Sequence, residues 1–220
     1  MTWTKICGIT NLEDALNAAD AGADALGFVF HEGSPRKTDP ETVRRIIGKL
    51  PGRIEKVGVF VNQTEDSICA QADEAGLSAV QLHGDSLDPH VADLIVKRRP
   101  HLKVIVGISM HHPKPEGYAM MWGHDVVHAF LVDAANSSNY GGTGNTFNWE
   151  KSQSNLGVVA GLGRVVVAGG LNPGNVAEAI RILKPWGVDV ASGVEISPGK
   201  KDPDKVRAFV EAVRETEKKN

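Results

Sequence analysis

A single-domain α/β protein, an eight-stranded parallel (β/α)8 TIM barrel over residues 1–220, is the fold class this sequence predicts. Three observations predict it. Short, nearly continuous apolar runs recur eight times, as expected of parallel strands covered by helices on the outside. Each run is followed by a stretch with helical spacing of its apolar residues. At 220 residues and 41% apolar content, the chain can bury one large core. The main rival, an open doubly wound sheet, would carry a G-x-G-x-x-G turn after its first strand, and that turn is absent.

The elements follow in order. TKICGI (4–9) precedes Leu12, Ala15, Leu16 and Ala19 at helical spacing, with Thr10 and Glu13 placed as a capping box. DALGFVF (24–30) leads to Asp39-Pro40, a cap with proline at the first helical position, and then to Val43, Ile46, Ile47 and Leu50. EKVGVFVN (55–62) leads to a helix from Thr64 that buries Ile68, Ala72 and Ala75 and stops at Gly76. AVQLHG (79–84) is followed by Asp88-Pro89 and by Val91, Leu94 and Ile95. After KVIVGISM (103–110) and AFLVDA (129–134) come weaker helical stretches at 115–123 and 149–161. RVVVAGG (164–170) precedes Asn172-Pro173 with Val176, Ala179, Ile180 and Leu183. GVDVASG (187–193) precedes Asp202-Pro203 with Val206, Phe209, Val210 and Val213.

Bulk properties narrow the partners. A net charge of −3 argues against nucleic acid or an anionic membrane as the main partner. No run approaches the ~18 apolar residues of a membrane span, and MTWTKICGIT lacks the pattern of a signal peptide. Cys7 and Cys69 are far apart and outside any CxxC pair, which favours reduced thiols and a cytoplasmic location. Cys69 sits mid-helix among Ile68 and Ala72, where packing is its expected role. The expected partner is a small phosphorylated molecule, for a protein that is a monomer or a homodimer.

In such barrels chemistry sits at the C-terminal strand ends and in the loops that follow. Cys7 then has two readings, a small buried hydrophobe or a reactive thiol. Asp133 ends an otherwise apolar strand, where a carboxylate needs either a structural partner or a task. The loop after it, YGGTGNTFNW, holds Gly142 and can bring backbone close to a ligand. Arg36, in HEGSPRKT, could clamp a carboxylate or be a solvated surface charge. Gly169, Gly170, Ser192 and Gly193 follow the last two strands, where barrels often bind phosphate. A metal would need several His and acidic ligands at successive strand ends. Of the eight scattered histidines only His83 stands at one, with Asp133, so no metal is expected. His83 is expected to bond a substrate or orient a neighbour.

Taken together, KICGIT, GADALGFVF with SPR, VGVFVN, VQLHGD, the Asp133 strand with YGGTGNTFNW, AGGLNPGNV and GVDVASGVE with PGKKD resemble the phosphoribosylanthranilate isomerases of tryptophan biosynthesis. The likeness runs from residue 5 to about 205. It implies the same barrel and an Amadori rearrangement without a cofactor. Asp133 would be the general acid and Cys7 the general base. Arg36 would contact the anthranilate carboxylate, while Gly170, Ser192 and Gly193 would hold the phosphate; Asp189 also matches and would face the site. The acid and base environments would then push the two pKa values in opposite senses. Lys37, Ala191 and Asn148 depart from the family pattern, and none of them removes a catalytic group. Two other readings are an aminoaldose isomerase of histidine biosynthesis, typically with two aspartates, and a phosphosugar receptor without catalysis.

Overall fold

The structure is a computed structural model describing residues 1–84, 88–122, 125–133 and 148–218. Eight parallel strands close into a barrel in chain order: β1 (Trp3–Cys7), β2 (Ala25–Val29), β3 (Glu55–Val61), β4 (Ala79–His83), β5 (Lys103–Ser109), β6 (Val127–Asp133), β7 (Arg164–Val167) and β8 (Gly187–Val190). Pairing of β1 with both β2 and β8 completes the ring, with Cys7 beside Gly27 and Lys5 beside Asp189. The helices between and after them are α1 (Leu12–Asp20), α2 (Pro40–Ile47), α3 (Glu65–Ala75), α4 (His90–Arg98), α5 (Pro115–Met121), α6 (Trp149–Leu162), α7 (Val176–Leu183) and α8 (Pro203–Lys218). A small antiparallel hairpin, β9 (Glu195–Ser197) and β10 (Lys200–Lys201), is inserted between β8 and α8.

Strand alternation splits the core in two. Outward residues such as Ile6, Leu26, Phe28, Phe60, Leu82, Val106 and Phe130 pack against the helices. Inward residues Ala25, Val57, Ala79, Ile105, Ala129, Leu131 and Val166 fill the lower barrel, floored by Trp3 stacked on Trp186 at 5.2 Å.

The helix signals at Asp39-Pro40, Thr64 with Gly76, and Asp202-Pro203 operate as expected. Asp39 and Thr64 accept the Thr42 and Ser67 N–H groups, Gly76 is left-handed, and Asp202 accepts from Asp204 and Lys205. Four details differ. Asp88-Pro89 stands just ahead of α4, which begins at His90, with Asp88 accepting the His90 N–H at 2.9 Å. Thr10 and Glu13 form no capping box: Asn11 is the cap, accepting the Asp14 N–H at 2.9 Å, because the Thr10 hydroxyl is committed to the Gly199 carbonyl at 2.6 Å. Asn172-Pro173 does not open α7 directly, since Asn172 accepts the Gly174 N–H and this side-chain turn delays the helix to Val176. The last two strands are shorter than their apolar runs. Residues 168–170 and 191–193 leave the ladder, with Gly169 and Gly170 left-handed and Ser192–Val194 forming a 3-10 turn. The weaker stretches hold helices, α5 over Pro115–Met121 and α6 over Trp149–Leu162, α6 being capped by the Asn148 side chain.

Candidate active site

At the C-terminal mouth of the barrel one cavity is lined by Cys7, Arg36, His83, Asp133, Gly169, Gly170, Asp189 and Ser192, together with Gln81 and His31. Seven of the predicted site residues therefore meet at one place: Cys7, Arg36, His83, Asp133, Gly170, Asp189 and Ser192. Gly193 is beside the cavity rather than on its wall. A side chain there would stand 1.9 Å from the Leu171 carbonyl oxygen, so Gly193 lets the loops after β7 and β8 touch backbone to backbone. Gly142 lies outside the described residues. Asn62, at the end of β3, is exposed and does not line the cavity.

Cys7 closes β1 and is buried. Lys5 lies two residues earlier on the same side of the strand, fully buried, with its Nζ donating to Asp189 Oδ1 at 2.9 Å. Burial pushes the Cys7 thiol pKa up, and the charge of the nearby Lys5 ammonium opposes it. The net direction is upward, against the expected lowering of the base. For Lys5 burial works the other way, but Asp189 and Cys7 outweigh it and hold its pKa above the ordinary value.

Arg36 is no solvated surface charge. Its Nε and Nη2 donate to the two carboxylate oxygens of Glu195 at 2.9 and 2.7 Å, a bidentate fork. Lys201, also buried, donates to the same Glu195 at 2.9 Å and to the Ala191 carbonyl at 3.1 Å. Although burial of Glu195 opposes it, these two cations hold the carboxyl below its usual range.

His83 ends β4. A side chain at Gly107 on β5 would stand 2.4 Å from its ring, so that glycine provides the ring's space. Burial, helped by the Lys5 charge, lowers the His83 pKa to about 4, so the imidazole is neutral near pH 7. Gln81 Nε2 lies 2.5 Å from His83 Nε2, while the buried Gln81 Oε1 finds no partner among the described residues. Asp133 closes β6 at 9% exposure. Among the described residues no three His, Cys, Asp or Glu side chains are grouped to hold a metal ion.

Lys5, Gln81, Glu195 and Lys201 were not singled out from the sequence. For Lys5 and Gln81 a signal existed: each is a polar residue two positions before a shortlisted one, in an apolar strand. Glu195 and Lys201 reach the site only through the hairpin, which no spacing rule reveals.

Fold and site together define a class: a (β/α)8 barrel whose mouth gathers a thiol, a carboxylate and an arginine beside two glycine-bearing loops. Comparison with known proteins is specific. Residues 4–212 match the family described as N-(5'phosphoribosyl)anthranilate (PRA) isomerase. The N-(5'-phosphoribosyl)anthranilate isomerase of Pelobacter propionicus is 48% identical over 216 residues, covering 98% of this chain and 97% of its own. The crystal structure of phosphoribosyl anthranilate isomerase from Thermotoga maritima superimposes with a TM-score of 0.86 at 38% identity, covering 98% of this chain and 100% of that one. Another crystal structure, of a phosphoribosyl anthranilate isomerase in complex with reduced 1-(o-carboxyphenylamino)-1-deoxyribulose 5-phosphate, gives 0.83 at 37% identity with the same coverage. The chain belongs to the phosphoribosylanthranilate isomerase family.

Proposed function

We propose that this protein acts in tryptophan biosynthesis by catalysing the Amadori rearrangement of N-(5-phosphoribosyl)anthranilate to 1-(2-carboxyphenylamino)-1-deoxyribulose 5-phosphate. The observation that carries the reading is the sharing of one cavity by Cys7 and Asp133 in a member of this family. The Asp133 carboxyl protonates the furanose ring oxygen as the C1′–O bond breaks, and the amine lone pair forms the C1′=N bond. The Cys7 thiolate removes the C2′ proton. Its C–H electrons become the C1′=C2′ bond, while the C=N electrons return to nitrogen. The enolamine then loses its hydroxyl proton and gains one at C1′, giving the ketone. The sequence is redox-neutral, so no cofactor enters it.

Binding follows from the same walls. Glu195 occupies the Nε/Nη2 edge of Arg36, which leaves the Nη1/Nη2 edge for the anthranilate carboxylate. Gly170, Gly193 and Ser192 serve the phosphate, with the loops locked at Gly193. Neutral His83 and Asp189 serve the sugar hydroxyls. Two buried, unbridged cysteines fit a reducing, cytoplasmic setting.

A turnover assay with phosphoribosylanthranilate on wild type, Cys7→Ser and Asp133→Ala tests this. Each substitution should lower kcat about 10²- to 10⁴-fold while substrate still binds. An inactive wild type would sink the function; fully active variants would sink the acid/base assignment alone.

A further inference from the structure

The proposed base poses an electrostatic problem. Its sulfur must carry negative charge inside a buried pocket that already holds the Asp189 carboxylate, and an unsupported buried anion is costly. The charged groups around Cys7 are Lys5 on β1, Asp189 on β8, Lys201 on β10 and Arg36 after β2. His83 and Asp133 line the same cavity. Arg36 and Lys201 are both engaged by Glu195. Lys5 differs. A methyl group on Gly27 would stand 2.7 Å from Cys7 Sγ and 2.9 Å from Lys5 Cε, so the bare glycine leaves open a space that both side chains border. The strand register fixes both partners, Cys7 opposite Gly27 and Lys5 opposite Asp189.

We propose that Lys5 is a positioning residue for the isomerisation: its buried ammonium, anchored 2.9 Å from Asp189, is the counter-ion of the Cys7 thiolate. The inference rests on the acid/base reading above. The proton that leaves Cys7 to form the thiolate goes to bulk water, the sulfur gains one from C2′, and Lys5 stays protonated throughout. Asp189 thus holds the lysine in place while itself opposing the thiolate.

That double role gives a test with two signs. In a Cys69→Ser background, the Cys7 thiolate would be titrated by its ultraviolet absorbance and by iodoacetamide alkylation against pH. Lys5→Met should raise the midpoint by about one pH unit, roughly tenfold less thiolate at a given pH below it. Asp189→Asn should lower it, and Lys5→Arg should leave it near the wild-type value. A pair that merely closes the barrel would, when broken, expose Cys7 and move both midpoints down together; that result, or an unmoved midpoint in Lys5→Met, overturns the proposal. Should Lys5→Met fail to fold, the neutral pair Lys5→Met/Asp189→Asn replaces it and should titrate above Asp189→Asn alone; an equal or lower midpoint overturns the proposal. No substrate enters this titration, so an enzyme inactive on phosphoribosylanthranilate and a lysine without effect on the thiol are separate outcomes. In active enzyme, the acidic limb of the kcat/KM profile should follow the same shifts.

Discussion

The lower and upper halves of the barrel interior are built from the same strands and do opposite things. Below lie Ala25, Val57, Ala79, Ile105, Ala129, Leu131 and Val166, an apolar plug over the Trp3/Trp186 stack. Above lie Lys5, Cys7, Gln81, His83, Asp133 and Asp189. The change takes two residues on a strand: Ala79 to Gln81 to His83, or Leu131 to Asp133. A step of two is about 6–7 Å, so the pocket floor is the ceiling of a dry core. Polar groups tolerate that depth by pairing with each other, as Lys5 does with Asp189. The lower layer sets how firmly the barrel holds together, and the upper layer sets what it does.

The sharpest way to break this division is Leu131→Ala, which empties part of the plug at 1% exposure. It should cost about 2–5 kcal/mol of stability by denaturant titration and leave kcat per folded molecule unchanged. A large fall in kcat with intact stability would show that the halves are not separable.

A middle-sized effect comes from pH. Folded His83 has its pKa lowered from 6.5 to about 4, so between those values the unfolded chain binds a proton that the native state does not. Stability is then full above pH 6.5 and falls as the pH drops toward 4, by an amount on the order of 3 kcal/mol. Denaturant midpoints of wild type and His83→Asn across this window should diverge, with the variant less pH-sensitive. Parallel curves would remove His83 from the buried titrating set.

The smallest expected effect is at the rim. Glu195→Gln weakens the fork that orients Arg36, and KM should rise about threefold to tenfold with kcat nearly constant. An unchanged KM would mean that the Glu195 carboxylate is not what orients Arg36 for the substrate.

Much of this was legible in the sequence, for reasons that also mark its limits. The eight strands and the caps at Asp39 and Thr64 are local signals that no distant contact competes with, and these survived. Thr10 misled because its hydroxyl bonds Gly199, 189 positions away, and no nearby pattern announces that bond. The barrel rule placed Cys7, His83 and Asp133 at the mouth, since strand ends can be read from apolar runs, whereas Asp189 entered only through the family resemblance. The rule could not show that Arg36 is held by Glu195 across 159 positions. Nor could it show that burial would outweigh Lys5 at the thiol, because a pKa depends on packing from several strands at once.

The Lys5–Asp189 bond also bears on how the chain reaches its final form. Its two ends are 184 positions apart, on the first and last strands of the ring. During synthesis β1 emerges early, and its lysine has no carboxylate opposite it until β8 arrives. A partial barrel of seven strands would have to bury that ammonium alone, at a cost of several kcal/mol. The first strand to be made therefore carries a buried charge that only the last strand neutralises, which ties the two ends of the ring by charge as well as by hydrogen bonding.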